Sequence, residues 1–165
     1  MRLANDWRMW RMRSRPERWL LLEAMVGLFL GRAAIGLLPF EQVASLLGLA
    51  PENVSGVTPG DYALQLEWKP SAVAVQIGWA VRTVAARVPE HAICLVQTLA
   101  GAAMLRRRDI PCTLSLGIAR DGTGFAAHAW LRCGDVILTG AGGHDRFTTI
   151  SAFVAARAAS QPTPV

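Results

Sequence analysis

Lysine is almost missing from this chain: Lys69 is the only one, against sixteen arginines. Cysteine is scarce as well. Cys94, Cys112 and Cys133 are an odd number with no framework spacing. That excludes a disulfide-built scaffold and points to a reducing compartment, hence to the cytoplasm. Only 18% of the 165 residues are charged and 52% are hydrophobic. This excludes a disordered polar chain and leaves enough apolar material for one ordinary domain core. No phosphate-binding loop is present, since Asp121-Gly122-Thr123-Gly124 lacks the lysine and the following helix and reads as a turn. No Cys-x-x-Cys or His-x-x-x-His spacing occurs. His91 and Cys94 with Cys112 or Cys133 are therefore not read as zinc ligands, and neither metal nor cofactor is expected.

The net charge of +5 is concentrated at one end. Residues 1–18 carry Arg2, Arg8, Arg11, Arg13, Arg15 and Arg18 against Asp6 and Glu17, which is +4 of the total. A nucleic-acid binder would spread a basic stripe over its folded face, so no nucleic-acid partner is expected. Behind this arm, Trp19 to Leu38 is apolar over the ~20 residues a bilayer demands. Glu23 and Arg32 interrupt it, and a central charge costs about 3 kcal/mol on insertion scales. The stretch therefore reads as an amphipathic helix docked on the protein rather than a span, with contact at a membrane surface as the alternative. No small-residue cleavage site closes it as a signal peptide would.

The chain divides into helices, then strands. Ser14 and Glu17 have capping-box spacing and open a helix that runs to Leu38, before Pro39. A short helix follows from Phe40 to Leu47. Residues 50–70 read as a loop, with one helical turn at Tyr62 to Trp68. Val73, Ile77, Val81 and Val84 give a helix over Ser71 to Val88, and Leu95, Leu99 and Ala102 one over Ala92 to Arg108. From Cys112 the period becomes two. Strands are expected at Cys112 to Ala119, Phe125 to Cys133 and Val136 to Thr139, with a turn at Gly134-Asp135. A short fourth strand at Phe147 to Ile150 and a terminal helix at Ala152 to Ala159 complete the reading. Helices followed by an antiparallel sheet make an α+β fold.

Two residues stand out for chemistry. Cys94 opens a helix, where free backbone N–H groups and the dipole favour a thiolate and could also hold an oxyanion. The bland alternative is a small buried hydrophobe. His128 lies within an apolar strand and shares a face with Ala126 and Trp130; its bland alternative is a satisfied core histidine. Packing the cysteine helix on the sheet can bring the two together as a nucleophile and its base. Gln97, one turn on from Cys94, is a weak candidate oxyanion donor. Trp79 is read as core rather than site wall, and His144 as a loop residue.

In chain order, Cys94-Leu95, Leu105-Arg106-Arg107-Arg108-Asp109-Ile110-Pro111, Leu116-Gly117 and Ala127-His128-Ala129-Trp130 resemble the transglutaminase-like cysteine protease of lasso-peptide biosynthesis. That family cleaves the leader from a precursor peptide. Trp19-Leu20-Leu21-Leu22-Glu23, Leu37-Leu38-Pro39-Phe40 and Arg146-Phe147-Thr148-Thr149-Ile150 are similar to it too, so the likeness covers nearly the whole chain. It implies a transglutaminase-like, papain-like fold, with residues 71–165 as catalytic core and residues 1–70 as a docking region or cap. It implies Cys94 as nucleophile, His128 as general base and then acid, and the Cys94 backbone N–H in the oxyanion hole. It also implies an aspartate that orients His128. If the hairpin turns at Gly134-Asp135, His128 lies across from Gly140 or Ala141, and neither has a suitable side chain. Asp145, just past the third strand, is preferred to Asp135 at the hairpin tip; failing both, a carbonyl, a water or another side chain holds the ring. The partners implied are the precursor's leader peptide, a separate leader-recognition protein and an ATP-dependent cyclase that closes the ring afterwards. Two other classes are carried forward: a transglutaminase-type acyltransferase using the same pair, and a non-catalytic, membrane-peripheral interaction protein.

Overall fold

The computed structural model describes residues 14–51, 71–88 and 93–155. The elements are α1 (Arg15–Leu37), α2 (Phe40–Leu46), β1 (Ala50–Pro51), α3 (Ala72–Ala85), α4 (Cys94–Arg106), β2 (Cys112–Asp121), β3 (Gly124–Cys133), β4 (Val136–Thr139), a 3-10 turn (His144–Arg146) and β5 (Thr148–Ala155). The strands form one antiparallel sheet in the order β1-β5-β2-β3-β4. The expected helical turn at Tyr62 to Trp68 lies outside the described residues.

The capping box forms as its spacing predicts. The Ser14 N–H donates to the Glu17 carboxylate at 2.9 Å, and the Glu17 N–H donates to Ser14 Oγ at 3.4 Å. These bonds satisfy donors that a helix start leaves without intrahelical partners. From there α1 runs antiparallel along α4. Gly27 backs onto Ala100 and Gly31 onto Val96, close enough that a Cβ at Gly27 would stand 3.2 Å from that of Ala100. The charge within the apolar run has a local partner: Glu23 pairs with Arg107 at 3.0 Å and Arg108 at 2.6 Å, at the basic end of α4.

One hydrophobic core joins the helices to the sheet. Leu21, Ala24 and Leu28 of α1 are buried with Ile77 and Val81 of α3, Leu99 and Leu105 of α4, and Leu114, Leu131 and Leu138 of the strands. By length and composition α1 could cross a membrane. One stripe of it faces this core, while Trp19, Val26, Leu30 and Leu37 stand in solvent.

The C-terminal expectation needs correction. Thr148 to Ile150 of the expected short strand and Ala152 to Ala155 of the expected terminal helix belong to a single strand, β5, and the rest of that expected helix lies outside the described residues. The residues of β5 pair along β2 from Cys112↔Ala155 to Ile118↔Thr148, with a bulge between Leu116 and Gly117. Alanines at 152 and 155 favour a helix in isolation. The open edge of β2 and the β-branched residues Thr148, Thr149, Ile150 and Val154 decide otherwise, because sheet pairing overrides weak local propensity. β1 then caps this edge through Ala50↔Val154.

Two packing contacts fix the placement of the site. Gly78 of α3 meets β4 so closely that a Cβ would lie 2.9 Å from the Leu138 carbonyl, to which Arg82 of the same helix also donates. Gly101 of α4 sits on Leu131 of β3, whose Cδ2 would be 2.7 Å from a Cβ there. The short link from Arg107 to Pro111 turns the chain from the end of α4 directly into β2. Both β2 and β3 pack against α4, and β3 is antiparallel to β2.

Candidate active site

Cys94 is the first residue of α4 and is half-buried. Ile93 precedes it as N-cap and has no side-chain oxygen to cap the helix. The first intrahelical bond runs from the Gln97 N–H to the Ile93 carbonyl, at 3.1 Å. The amides of Cys94, Leu95 and Val96 lie ahead of that bond and have no acceptor within the helix. They carry the positive end of the helix dipole beside the thiol. Gln97 is half-buried one turn along and already holds a partner.

Cys94 and His128 are located here relative to the one close contact between α4 and β3, Gly101 on Leu131. From the Gly101–Leu131 contact, Cys94 lies seven residues back along the helix, about 10 Å at its short rise. His128 lies three residues back along the strand, again about 10 Å at the longer rise. Leu131 belongs to the core shared with the helices, and alternation puts His128 and Trp130 together on the other face of β3, as the sequence pattern predicts. β4 ends at Thr139, so the edge of β3 beside His128 is not covered by a strand. Among the described residues no hydrogen bond joins Cys94 to His128.

The imidazole itself is tightly held. His128 Nε2 donates to the Gly140 carbonyl at 2.8 Å. The ring stacks on Phe147, with centroids 4.9 Å apart and planes 30° apart, and lies beside Trp130 at 6.1 Å and 28°. Gly117 is the cross-strand neighbour of His128. A Cβ at Gly117 would lie 2.8 Å from Trp130 and 3.0 Å from the Phe147 Cβ, so glycine is what lets these rings close over β2.

The two aspartates are elsewhere. Asp135 occupies the exposed β3–β4 turn, and Asp145 the exposed 3-10 turn between Gly143 and Phe147. Neither bonds to His128. His144 donates from Nδ1 to the Ala141 carbonyl at 3.0 Å. The hairpin also slips: Cys133↔Val136 and Arg132↔Ile137 are followed by Leu131↔Thr139, with Leu138 as the extra residue. His91 lies outside the described residues, and no three of the described His, Cys, Asp and Glu residues gather as a metal site.

Cys112 and Cys133 are buried in the core and differ from Cys94 in chemistry as well as place. Burial pushes the Cys112 thiol up to about 12, with a further push from nearby Cys133, and burial raises Cys133 to about 11. Both stay protonated and poorly nucleophilic near neutral pH. Iodoacetamide is expected to alkylate Cys94 alone in the folded protein and all three cysteines after denaturation. Peptide mass mapping reads the sites, and early modification of Cys112 or Cys133 would contradict the assignment. An unfolded thiol titrates near 9.0, so these two contribute stability below that pH and withdraw it as pH rises towards 11–12.

The family model of the transglutaminase-like superfamily matches residues 37–152, from the end of α1 into β5. No curated protein and no solved structure matches the chain. The match takes in both Cys94 at the start of its helix and His128 on its strand. This chain belongs to the transglutaminase-like superfamily.

Proposed function

We propose that the protein is a cysteine peptidase that removes the leader from a ribosomally made lasso-peptide precursor. The observation that carries the reading is a half-buried cysteine at the amide-rich start of α4, a helix that packs on the strand whose histidine is held by a backbone carbonyl. The superfamily includes cysteine peptidases and acyltransferases. Catalytic hydrogen bonds of this kind commonly form only when substrate binds, and the proposed pair is one of these.

In the proposed reaction the Cys94 thiol passes its proton to His128, and its sulfur bonds to the carbonyl carbon at the leader–core junction. Backbone amides at the start of α4 receive the oxyanion. The peptide C–N bond breaks, the new amine of the core takes the proton from the imidazolium, and a thioester to the leader remains. Water, giving a proton to His128, attacks that thioester; the C–S bond breaks and the thiolate is protonated again. The free amine is the group an ATP-dependent cyclase needs for ring closure. No cofactor takes part.

The reading includes a separate leader-recognition protein, and it places the reaction in the cytoplasm. Supporting a docked partner, α1 exposes Trp19 at 73%, Val26 at 53% and Leu30 at 65%. The experiment is mass spectrometry of a cognate precursor incubated with the protein, with and without its leader-binding partner. A single cut at one junction that depends on the partner is expected. An intact precursor together with acyl transfer to a small amine would move the protein to the acyltransferase class.

A further inference from the structure

We propose that His128 is oriented by the backbone carbonyl of Gly140 and the flanking ring of Phe147, with no carboxylate in that position. The inference rests on the reading of His128 as general base, and it adds how that base is set. A carbonyl oxygen only accepts hydrogen bonds. At 2.8 Å from it, Nε2 must carry a proton, so the neutral ring is the Nε2–H tautomer and Nδ1 is its basic atom. The ring is thus prepared to receive a proton at one nitrogen only.

The acceptor is fixed by backbone shape. Gly140 has φ 74°, the left-handed region that favours glycine. A Cβ there would meet the Ala129 carbonyl oxygen at 2.3 Å and the Trp130 Cα at 2.9 Å. Those atoms belong to β3 itself, so they cannot yield without moving the strand that bears His128. Phe147 supplies the second restraint at 4.9 Å, and the Gly117 gap leaves room for it. Asp145, the carboxylate the sequence favours for this task, is on the exposed turn and does not bond to the ring.

The test uses the full chain labelled with 15N-histidine, the His128 signals being assigned by their loss in His128→Gln. The neutral ring is expected to show a protonated Nε2 and a bare Nδ1, and Asp145→Asn is expected to leave that pattern in place. Gly140→Ala is expected to mix the two tautomers and to lower kcat about 100-fold with a much smaller change in KM, as misplacing a catalytic group by about 1 Å does. Should Gly140→Ala not fold, Phe147→Ala is expected to mix the tautomers in the same way. An Nδ1–H tautomer in the unmodified protein, or a pattern that changes in Asp145→Asn, would overturn the proposal. The spectrum needs no substrate. A protein that shows the expected tautomer yet cuts no precursor would refute the peptidase reading alone, and cleavage by an Nδ1–H protein would refute this inference alone.

Discussion

His128→Ala is expected to slow leader cleavage by about three orders of magnitude, within the 10²–10⁴ range that a positioned acid–base group contributes. His128 has two tasks in the proposed cycle. It removes the thiol proton before attack, and it protonates the departing amine, which otherwise leaves as a poor anion. Losing it therefore harms both formation and collapse of the tetrahedral intermediate. Cys94 and His128 act as one unit, so the effects do not add: Cys94→Ala with His128→Ala is expected to be no slower than Cys94→Ala alone. Turnover of the three variants checks this. A multiplicative loss would mean that His128 acts without reference to Cys94.

Leu131→Ala is expected to lower stability by about 3 kcal/mol, within the range for deleting a buried leucine side chain. Leu131 is fully buried and bears on Gly101, the contact that sets α4 against β3. For a domain of this size that loss lowers Tm by about 10 °C. The same contact predicts a reversal of sign. Gly101→Ala alone forces its Cβ against Leu131 Cδ2 at 2.7 Å, whereas in Leu131→Ala the added methyl enters vacated space. There it also removes the helix penalty of glycine and should recover about 1 kcal/mol. Thermal or urea unfolding of the four proteins forms a double-mutant cycle. Additive effects would show that Gly101 and Leu131 do not bear on one another.

Much of this architecture is legible because local signals agree with one another. Ser14 and Glu17 announce the start of α1 through a pair of reciprocal bonds that needs nothing else from the fold. Period-two alternation places His128 with Trp130, and the short β2–β3 turn keeps that pairing in register. β5 is harder to see because its alanines favour a helix, while the edge of β2 that makes it a strand is far away in sequence. The bulge at Leu138 is invisible for a related reason, since nothing in Val136 to Thr139 distinguishes an extra residue from a regular hairpin. The acceptor for His128 is the most instructive case. Gly140 is one of the two expected register partners of the histidine, but a search for a third side chain passes over it. Every residue has a carbonyl, so residue type gives no sign that this one is used; only the close approach of Gly140 to β3 does.

Cys94 as the nucleophile can be tested directly by acid-quenching the precursor reaction early in turnover and measuring the intact mass of the protein. The expected spectrum contains the protein plus the leader fragment less one water, with the added mass mapping to the peptide that holds Cys94 and absent from Cys94→Ala. Cleavage that continues in Cys94→Ala would contradict the assignment.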